Sequence, residues 1–487
     1  MAISSLRQRT ISGMLWSSLM RFGTLGISFI TDLVLARMLV PEDYGIVGML
    51  MIFISLANLL VEGGFGSALI QDKEDSQASY STVFYWNILF SVILYSVIYA
   101  LSPSISKFYN MPILSKILRI EGIIIIINSL YLIQRTILTK QLKFKQISII
   151  SIFSSMVSAF VAIVLAIKGY GVWALVTKAI IEGGVLGVLF WFIGKWSPSL
   201  VFDLKSFKRL FKYGGFLLAS NLINTLCNEL IGLIIGRKFN AVILGYYSKA
   251  RSLENVPTQS VSTIISQVSF PVFSEMQDDI NRMSYALQRI MKNVALVVFP
   301  LMIALIVVAY PLIIFLYTDK WADCVPYFQL LCVGGIFITF QGPTYYAVAA
   351  LGKSKALFNW TIIKRILGLV SIIVGMYFNM QGLLIGSILS TFFIYIINAY
   401  LVHKYIGYKF HKQMLDIMPY FSVAIITGVF CWVIGQFLEI HLYLKAILQL
   451  FVYVITYLTL LCTIKAINIR DILSCIKIYV NKIINLK

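Results

Sequence analysis

Continuous apolar stretches, separated by short polar connectors, run the whole length of this chain and predict about 14 membrane-crossing helices. The stretches occupy 12–38, 44–70, 80–101, 117–139, 146–168 and 170–194, then 213–237, 242–274, 291–317, 326–351, 355–378, 381–402, 415–438 and 442–465. Each reaches or approaches the roughly 20 residues that a helix needs to cross hydrocarbon. The period-two alternation of an outer-membrane barrel is absent. A basic amphipathic connector at 197–212 precedes the seventh stretch. The tail from Asn468 onward alternates apolar and basic residues, the pattern of an interfacial helix.

A second pattern lies inside the first. Arg37 is followed eight residues on by Gly45, and Arg237 eight residues on by Gly245, an offset of 200. Ser17, Arg21, Thr24, Ser28 and Asp32 step by three or four and share one face of the first span. Shifted by 200 they become Leu217, Asn221, Asn224, Asn228 and Gly232, a second polar face in the seventh. Ser55, Asn58, Glu62 and Gly66 of the second span likewise become Asn255, Thr258, Ser262 and Ser266 of the eighth. A slightly larger offset pairs Gly171 with Gly382. These matches predict a duplicated six-helix half, repeated in parallel, as in transporters whose two lobes rock about a central cavity. The expected fold is all-α and polytopic, with an N-lobe at 1–196, a C-lobe at 197–402 and two further helices with the tail at 403–487.

Composition agrees. Apolar side chains make up 59% and charged ones 12%, against about half and a quarter in soluble domains. The formal charge of +20 would suggest nucleic acid in another setting, but no basic helix or RNA-binding motif stands outside the apolar stretches. The positive-inside rule accounts for it. Arg7 and Arg9, then Lys140, Lys143 and Lys145, then Lys195, Lys205, Lys208, Arg209 and Lys212 occupy alternate connectors. Arg282, Arg289 and Lys292, then Lys353 and Lys355, then Lys404, Lys409 and Lys412 continue the series, and Lys465, Arg470, Lys477, Lys482 and Lys487 end it. The opposite connectors offer Lys107, Lys116, Lys168, Arg237, Lys238, Lys320 and Lys445. The bias predicts both termini on the cytoplasmic side.

Six cysteines without a CxxC and three histidines without ligand spacing predict neither disulfides nor a metal site. The first stretch, with Arg21 and Asp32 inside it, is not expected to be a cleaved signal. Pro257, Pro271, Pro300, Pro311, Pro343 and Pro419 fall within later spans and predict bent helices there, while Pro41, Pro103, Pro112 and Pro198 fall in connectors.

The candidate chemistry lies in polar groups inside the spans. A charge at the bilayer centre costs roughly 2.5–3.5 kcal/mol on insertion scales, so it needs a partner or water. Arg37, Arg119, Arg135 and Arg237 lie near span ends and can snorkel. Lys178 and Glu182, four apart, are expected to neutralise each other. Arg21, Arg251 and the adjacent Lys364 and Arg365 lie deep, as do the acids Glu62 and Glu229. Arg251 shares a face with Ser248, Asn255, Thr258, Ser262, Ser266 and Ser269, with Lys249 and Glu254 beside it. Polar contact between helices is the structural alternative, but the cationic excess favours an anionic ligand. No GxxxxGK[ST] loop and no nucleophile–base set is present, so neither ATP binding nor enzymatic chemistry is expected.

Several segments carry a family resemblance. Leu35-Ala36-Arg37-Met38-Leu39-Val40-Pro41-Glu42-Asp43-Tyr44-Gly45, Glu62-Gly63-Gly64-Phe65-Gly66-Ser67-Ala68-Leu69-Ile70-Gln71 and Leu244-Gly245-Tyr246-Tyr247-Ser248-Lys249-Ala250 resemble polysaccharide exporters of the multidrug/oligosaccharidyl-lipid/polysaccharide (MOP) flippase superfamily. Phe270-Pro271-Val272-Phe273-Ser274, and Lys320-Trp321 followed by Pro326-Tyr327-Phe328-Gln329, add to the likeness, which is nearest to the Wzx-type branch of colanic and teichuronic acid exporters. The resemblance covers most of residues 1–400. It implies two six-helix lobes, two extra helices, a central cationic cavity and a bacterial inner-membrane location. The implied substrate is undecaprenyl-diphosphate carrying an oligosaccharide, flipped outward for surface polysaccharide.

On that resemblance Arg21, Arg251, Lys364 and Arg365 are the expected diphosphate ligands. Ser17, Thr24, Ser28, Asn221, Asn224, Asn228, Asn255, Thr258 and Ser262 are the expected polar cavity lining. Asp32, Glu62, Glu229 and Glu254 are candidates for coupling to a proton or Na⁺ gradient, with no cofactor. Membrane lipids, and a polymerase or glycosyltransferases, are the expected neighbours. Two rivals differ in kind: a drug/cation antiporter, which calls for acids in its cavity, and a membrane scaffold for glycan assembly, which would tolerate loss of the buried charges.

Overall fold

Every apolar stretch folds as helix. The structure, a computed structural model, describes residues 2–72, 74, 76–438 and 441–464, with side chains from residue 12 onward except at 354 and 355. The expected interfacial helix of the tail lies outside the described residues. The first half contains α1 (Ala2–Met38), α2 (Pro41–Glu62), α3 (Phe65–Gln71), α4 (Gln77–Tyr109), α5 (Ile113–Glu121), α6 (Ile123–Lys140), α7 (Phe144–Ile167) and α8 (Val172–Gly194). It is followed by α9 (Leu204–Lys238), α10 (Ala241–Glu275), α11 (Ile280–Val307), α12 (Ala309–Tyr317), a 3-10 helix (Asp319–Cys324), α13 (Val325–Ala350), α14 (Ser354–Gly375), α15 (Met380–Ile406), α16 (Phe410–Phe437) and α17 (Leu442–Thr463). Among the described residues no strand occurs. Among the described residues twelve helical stretches are long and apolar enough to cross a membrane. The α5–α6 stretch and the polar α10 complete the expected set.

The breaks have local causes. The fourth stretch, expected as one helix, divides at Gly122, where an added Cβ would lie 2.9 Å from the Leu118 carbonyl oxygen and 3.1 Å from the Tyr95 ring. The ninth divides at Val308, because Pro311 lacks the N–H that would bond the Val307 carbonyl. Pro103, expected in a connector, instead lies inside α4, which runs on to Tyr109. The Tyr99 carbonyl that Pro103 leaves without its amide accepts the Ser102 hydroxyl at 2.8 Å. Pro257 and Pro271 lie inside α10, Pro300 inside α11, Pro343 inside α13 and Pro419 inside α16.

Packing divides the chain into two units, Met1–Ser248 and Lys249–Lys487. This boundary lies beyond the repeat boundary at 196 because α9 packs on α2, α3 and α4. In the first unit the duplicated glycines meet. A Cβ on Gly45 would overlap the carbonyl of Ala241 at the start of α10, and a Cβ on Gly245 would overlap the carbonyl of Pro41 at the start of α2. The two helix starts therefore cross in reciprocal fashion, each needing the other's glycine. At the far end of α2, Gly63 and Gly64 both adopt positive φ, 55° and 72°, and Gly64 lies against Gly214 of α9.

The connectors of this unit sort to two ends. Lys140 donates to the Asp72 carbonyl at 2.8 Å, Arg209 pairs with Asp72 at 3.0 Å and with Glu74, and Gln77 donates to the Ser197 carbonyl at 2.6 Å. Three connectors on the Lys- and Arg-rich side thus meet. At the other end the Arg237 guanidinium lies 5.1 Å from the Phe108 ring centre, and Gly171 faces the Asp43 carboxylate.

Asp203 caps α9, accepting the amides of Lys205 at 3.1 Å and Ser206 at 3.0 Å. The Ser206 hydroxyl and amide, and the Lys205 amide, hold its carboxyl below the usual carboxylate range. A depressed carboxyl stabilises the fold above its unfolded value, about 3.9, and that contribution fades as pH falls through the folded value. Hydrogen exchange at the Lys205 and Ser206 amides, corrected for intrinsic rates, should lose protection in that acid range. Asp203→Asn should abolish the pH dependence while keeping the cap.

In the second unit α13, α15 and α16 pack around α11, with α14 on α15 and α17 on α16. Asp416 of α16 pairs with Lys292 of α11 at 3.0 Å and accepts the Tyr408 hydroxyl at 2.8 Å. A cavity of about 260 Å³ between α11, α13, α15 and α16 is lined by apolar and aromatic side chains such as Phe299, Phe340 and Met414. It offers no charged side chain to an anion.

Candidate functional site

The polar face of α1 stands open within its unit. This helix packs along α7, where Gly13 faces Phe144, Gly23 faces Ile152 and the Trp16 carbonyl accepts the Ser148 hydroxyl at 2.8 Å. Ser17, Arg21, Thr24, Ser28 and Asp32 lie roughly a quarter turn away from that seam. Arg21 and Ser28 are exposed, and Ser17, Thr24 and Asp32 half-buried. Among the described residues the Arg21 guanidinium has no hydrogen bond or ion pair, whereas Asp32 has a partner. Thr24 returns its hydroxyl to the Met20 carbonyl at 2.7 Å.

The asparagines of α9 are open for a different reason. Gly214, Asn221, Asn228 and Ile235 follow at seven-residue intervals, two helical turns apart, and so share one face. Gly214 and Ile235 are buried, yet Asn221 and Asn228 between them are exposed, as is Asn224. The helix touches its neighbours at both ends and stands clear in its polar middle. Glu229 is half-buried and, like Asn224, has a partner. Glu62 ends α2 with its side chain exposed.

Repeat-related positions behave alike in their own units. Asn58 of α2 accepts the Asn128 amide of α6 at 3.0 Å, and Tyr131 donates to Asn128 at 3.0 Å. Its counterpart Thr258 of α10 meets α13, the corresponding fourth helix, where it donates to Glu254 and both pack on Gly335. Thr258 and Glu254 are 2% and 4% exposed, so neither lines open space. A methyl on Gly335 would overlap the Glu254 carboxylate and lie 2.8 Å from the Thr258 hydroxyl. Gly335→Ala should therefore destabilise by about 1–3 kcal/mol, read as a lowered melting temperature in detergent. Gly334→Ala, whose methyl would meet Ile388 at 3.7 Å, should not.

The deep cations separate by their partners. Lys364 donates to Asn398 of α15 and lies 6.0 Å from the Tyr345 ring centre, so its ammonium makes a contact between helices. Arg251 and Arg365 are half-buried and each has a partner. Asn255 and Ser262 are half-buried on α10. Lys178 and Glu182 do not form an ion pair among the described residues; Glu182 instead accepts the Ser155 hydroxyl at 2.9 Å, and its carbonyl accepts that of Ser154 at 2.6 Å. Across α7 and α8 the serines are nearer than the lysine one turn away.

Lys249 is a cation whose role sequence reasoning missed. It is 2% exposed, with its ammonium 5.2 Å from the Tyr317 ring centre and 5.8 Å from that of Trp321. This cage joins the start of α10 to the end of α12 and unites two of the motifs that carry the resemblance. Aromatic residues four positions apart, at 317 and 321, were the available signal.

Residues 34–326 match the family described as polysaccharide biosynthesis protein. The lipopolysaccharide biosynthesis protein WzxC of Escherichia coli is 26% identical over 89% of this chain and 89% of its own. The teichuronic acid biosynthesis protein TuaB of Bacillus subtilis is 28% identical over 73% of this chain and 74% of its own. Among solved structures, lipid II flippase MurJ in an inward closed conformation superimposes with a TM-score of 0.76 at 16% identity, covering 94% of this chain and 100% of that one. An inward-facing MATE-family multidrug transporter of the MOP superfamily gives 0.60 at 14% identity, covering 79% and 98%. The fold is the MOP fold expected from the sequence.

Proposed function

On the premise that this chain belongs to the polysaccharide biosynthesis protein family, we propose that it is a flippase for an undecaprenyl-diphosphate-linked oligosaccharide. It would move that substrate from the cytoplasmic to the outer leaflet of a bacterial inner membrane by alternating access, for surface polysaccharide. The observation that carries the reading is the pair of exposed polar faces on spanning helices: Arg21 on α1, whose side chain has no partner among the described residues, and the exposed Asn221 and Asn228 in the middle of α9. A diphosphate cannot enter hydrocarbon without cations and hydrogen-bond donors to replace its water, and hydrocarbon leaves such side chains equally unsatisfied. Each therefore supports the presence of the other.

Arg21, Arg251 and Arg365 are assigned to the diphosphate. Lys364 is set aside, since its ammonium is already given to Asn398. Ser17, Thr24, Ser28, Asn221, Asn224, Asn228, Asn255 and Ser262 would bond sugar hydroxyls or water. Asp32, Glu62 or Glu229 would take the proton or Na⁺ that drives the cycle, while Glu254, closed off between Thr258 and Gly335, is set aside.

Deletion of the gene should remove surface polysaccharide and leave the lipid-linked oligosaccharide trapped on the cytoplasmic leaflet, detected as protection from an external glycan-modifying reagent. Unchanged surface polysaccharide together with new drug sensitivity would sink this reading in favour of an antiporter.

A further inference from the structure

The 195–203 connector and the start of α9 form a surface apart from the polar side chains assigned above to the substrate. Its backbone is fastened to the first turns of α4: the Ser197 carbonyl accepts Gln77, the Ser199 amide donates to the Ser81 hydroxyl at 2.9 Å, and the Asp203 amide donates to that of Thr82 at 2.8 Å. With the chain held on that side, Leu200, Val201 and Phe202 turn outward, 95%, 46% and 48% exposed. Lys205, Lys208 and Lys212 continue the surface on α9. They step by three and four, so they stack on one side of the helix, and all three are exposed. Leu204 and Phe211 flank them, also exposed. Ser206, Leu210 and Gly214 occupy the buried side. Arg209, one turn beyond Lys205, is neutralised by Asp72 and Glu74. None of the three ammonium groups has a hydrogen bond or ion pair among the described residues.

We propose that this surface seats on anionic phospholipid headgroups of the leaflet at the Lys- and Arg-rich end of the first unit. The lysines bind headgroup phosphodiesters, while Leu200, Val201, Phe202 and Leu204 enter the acyl boundary beneath them. A soluble anion would satisfy the cations and leave a nearly fully exposed leucine in water. A neutral lipid would cover the leucine and leave three like charges stacked without counterions. An anionic leaflet does both.

The test uses the full chain in nanodiscs of phosphatidylcholine with or without phosphatidylglycerol, and native mass spectrometry to count retained lipid. The intact protein should retain phosphatidylglycerol in preference. Each lysine near an anionic surface is worth about fivefold in affinity. Lys208→Gln should therefore weaken retention about fivefold, and the triple change Lys205→Gln, Lys208→Gln, Lys212→Gln on the order of a hundredfold. A control triple change at the opposite end, Lys107→Gln, Lys116→Gln, Lys168→Gln, should retain it. Leu200→Ser with Phe202→Ser, which spares the lysines, should also weaken it. Equal retention by the two triple variants, or no preference for phosphatidylglycerol in the intact protein, overturns the proposal. So does full displacement of the bound lipid by inorganic phosphate, which would make the stripe a site for free anions.

Discussion

Gly45→Ala and Gly245→Ala should each yield a chain that no longer purifies as a single monodisperse species and no longer supports export. At Gly45 the new methyl would overlap the Ala241 carbonyl and lie 2.9 Å from its Cα; at Gly245 it would overlap the Pro41 carbonyl and lie 3.2 Å from the Pro41 Cα. The obstructing atoms are backbone, so no side chain can swing aside and two helix starts must separate. Overpacking commonly costs about 1–3 kcal/mol and more when relief requires backbone movement, a large share of an ordinary protein's stability. Gly184→Ala is the control, because nothing lies within 4 Å of the position its methyl would take. Size-exclusion profiles and melting temperatures of the three variants decide the matter. A Gly45→Ala protein as stable as Gly184→Ala would mean that the reciprocal crossing is not required.

Arg21→Ala should abolish surface polysaccharide while leaving the protein folded and inserted at its normal level. The side chain is exposed and has no partner to lose among the described residues, so the change carries little structural cost. A charged hydrogen bond to a phosphate is worth about 1.5–3 kcal/mol, a loss of roughly 10- to 150-fold in substrate affinity. Arg251→Ala should lose export as well, but it also removes an existing contact, so its stability must be measured beside its activity. Lys364→Ala should show the reverse balance, with stability falling first because Asn398 loses its cation. Export undiminished in both arginine variants defeats the assignment of those residues.

Much of this was legible beforehand because it depends on near neighbours in the chain. The helices follow from runs of apolar residues, and the break at Val308 from a proline three residues on. The 200-residue offset linking Gly45 to Gly245 marked a real constraint, although its cause, two backbones crossing, became visible only in space. Lys178 and Glu182 show the opposite case. Their spacing permits a pair, but the serines of α7 are nearer to Glu182.

Sequence alone determined that the chain spans a membrane many times, that its halves repeat and that cations lie far inside apolar stretches. These are properties of composition and periodicity, which hold along a single helix. Which of those polar groups were already committed was decided only by tertiary structure. It gave Lys364 to Asn398, caged Lys249 with Tyr317 and Trp321, seated Glu254 and Thr258 on Gly335, and left Arg21 and the middle of α9 uncovered. The reason is that a buried polar group is satisfied by whatever stands on the facing helix, and nothing in its own helix specifies that residue.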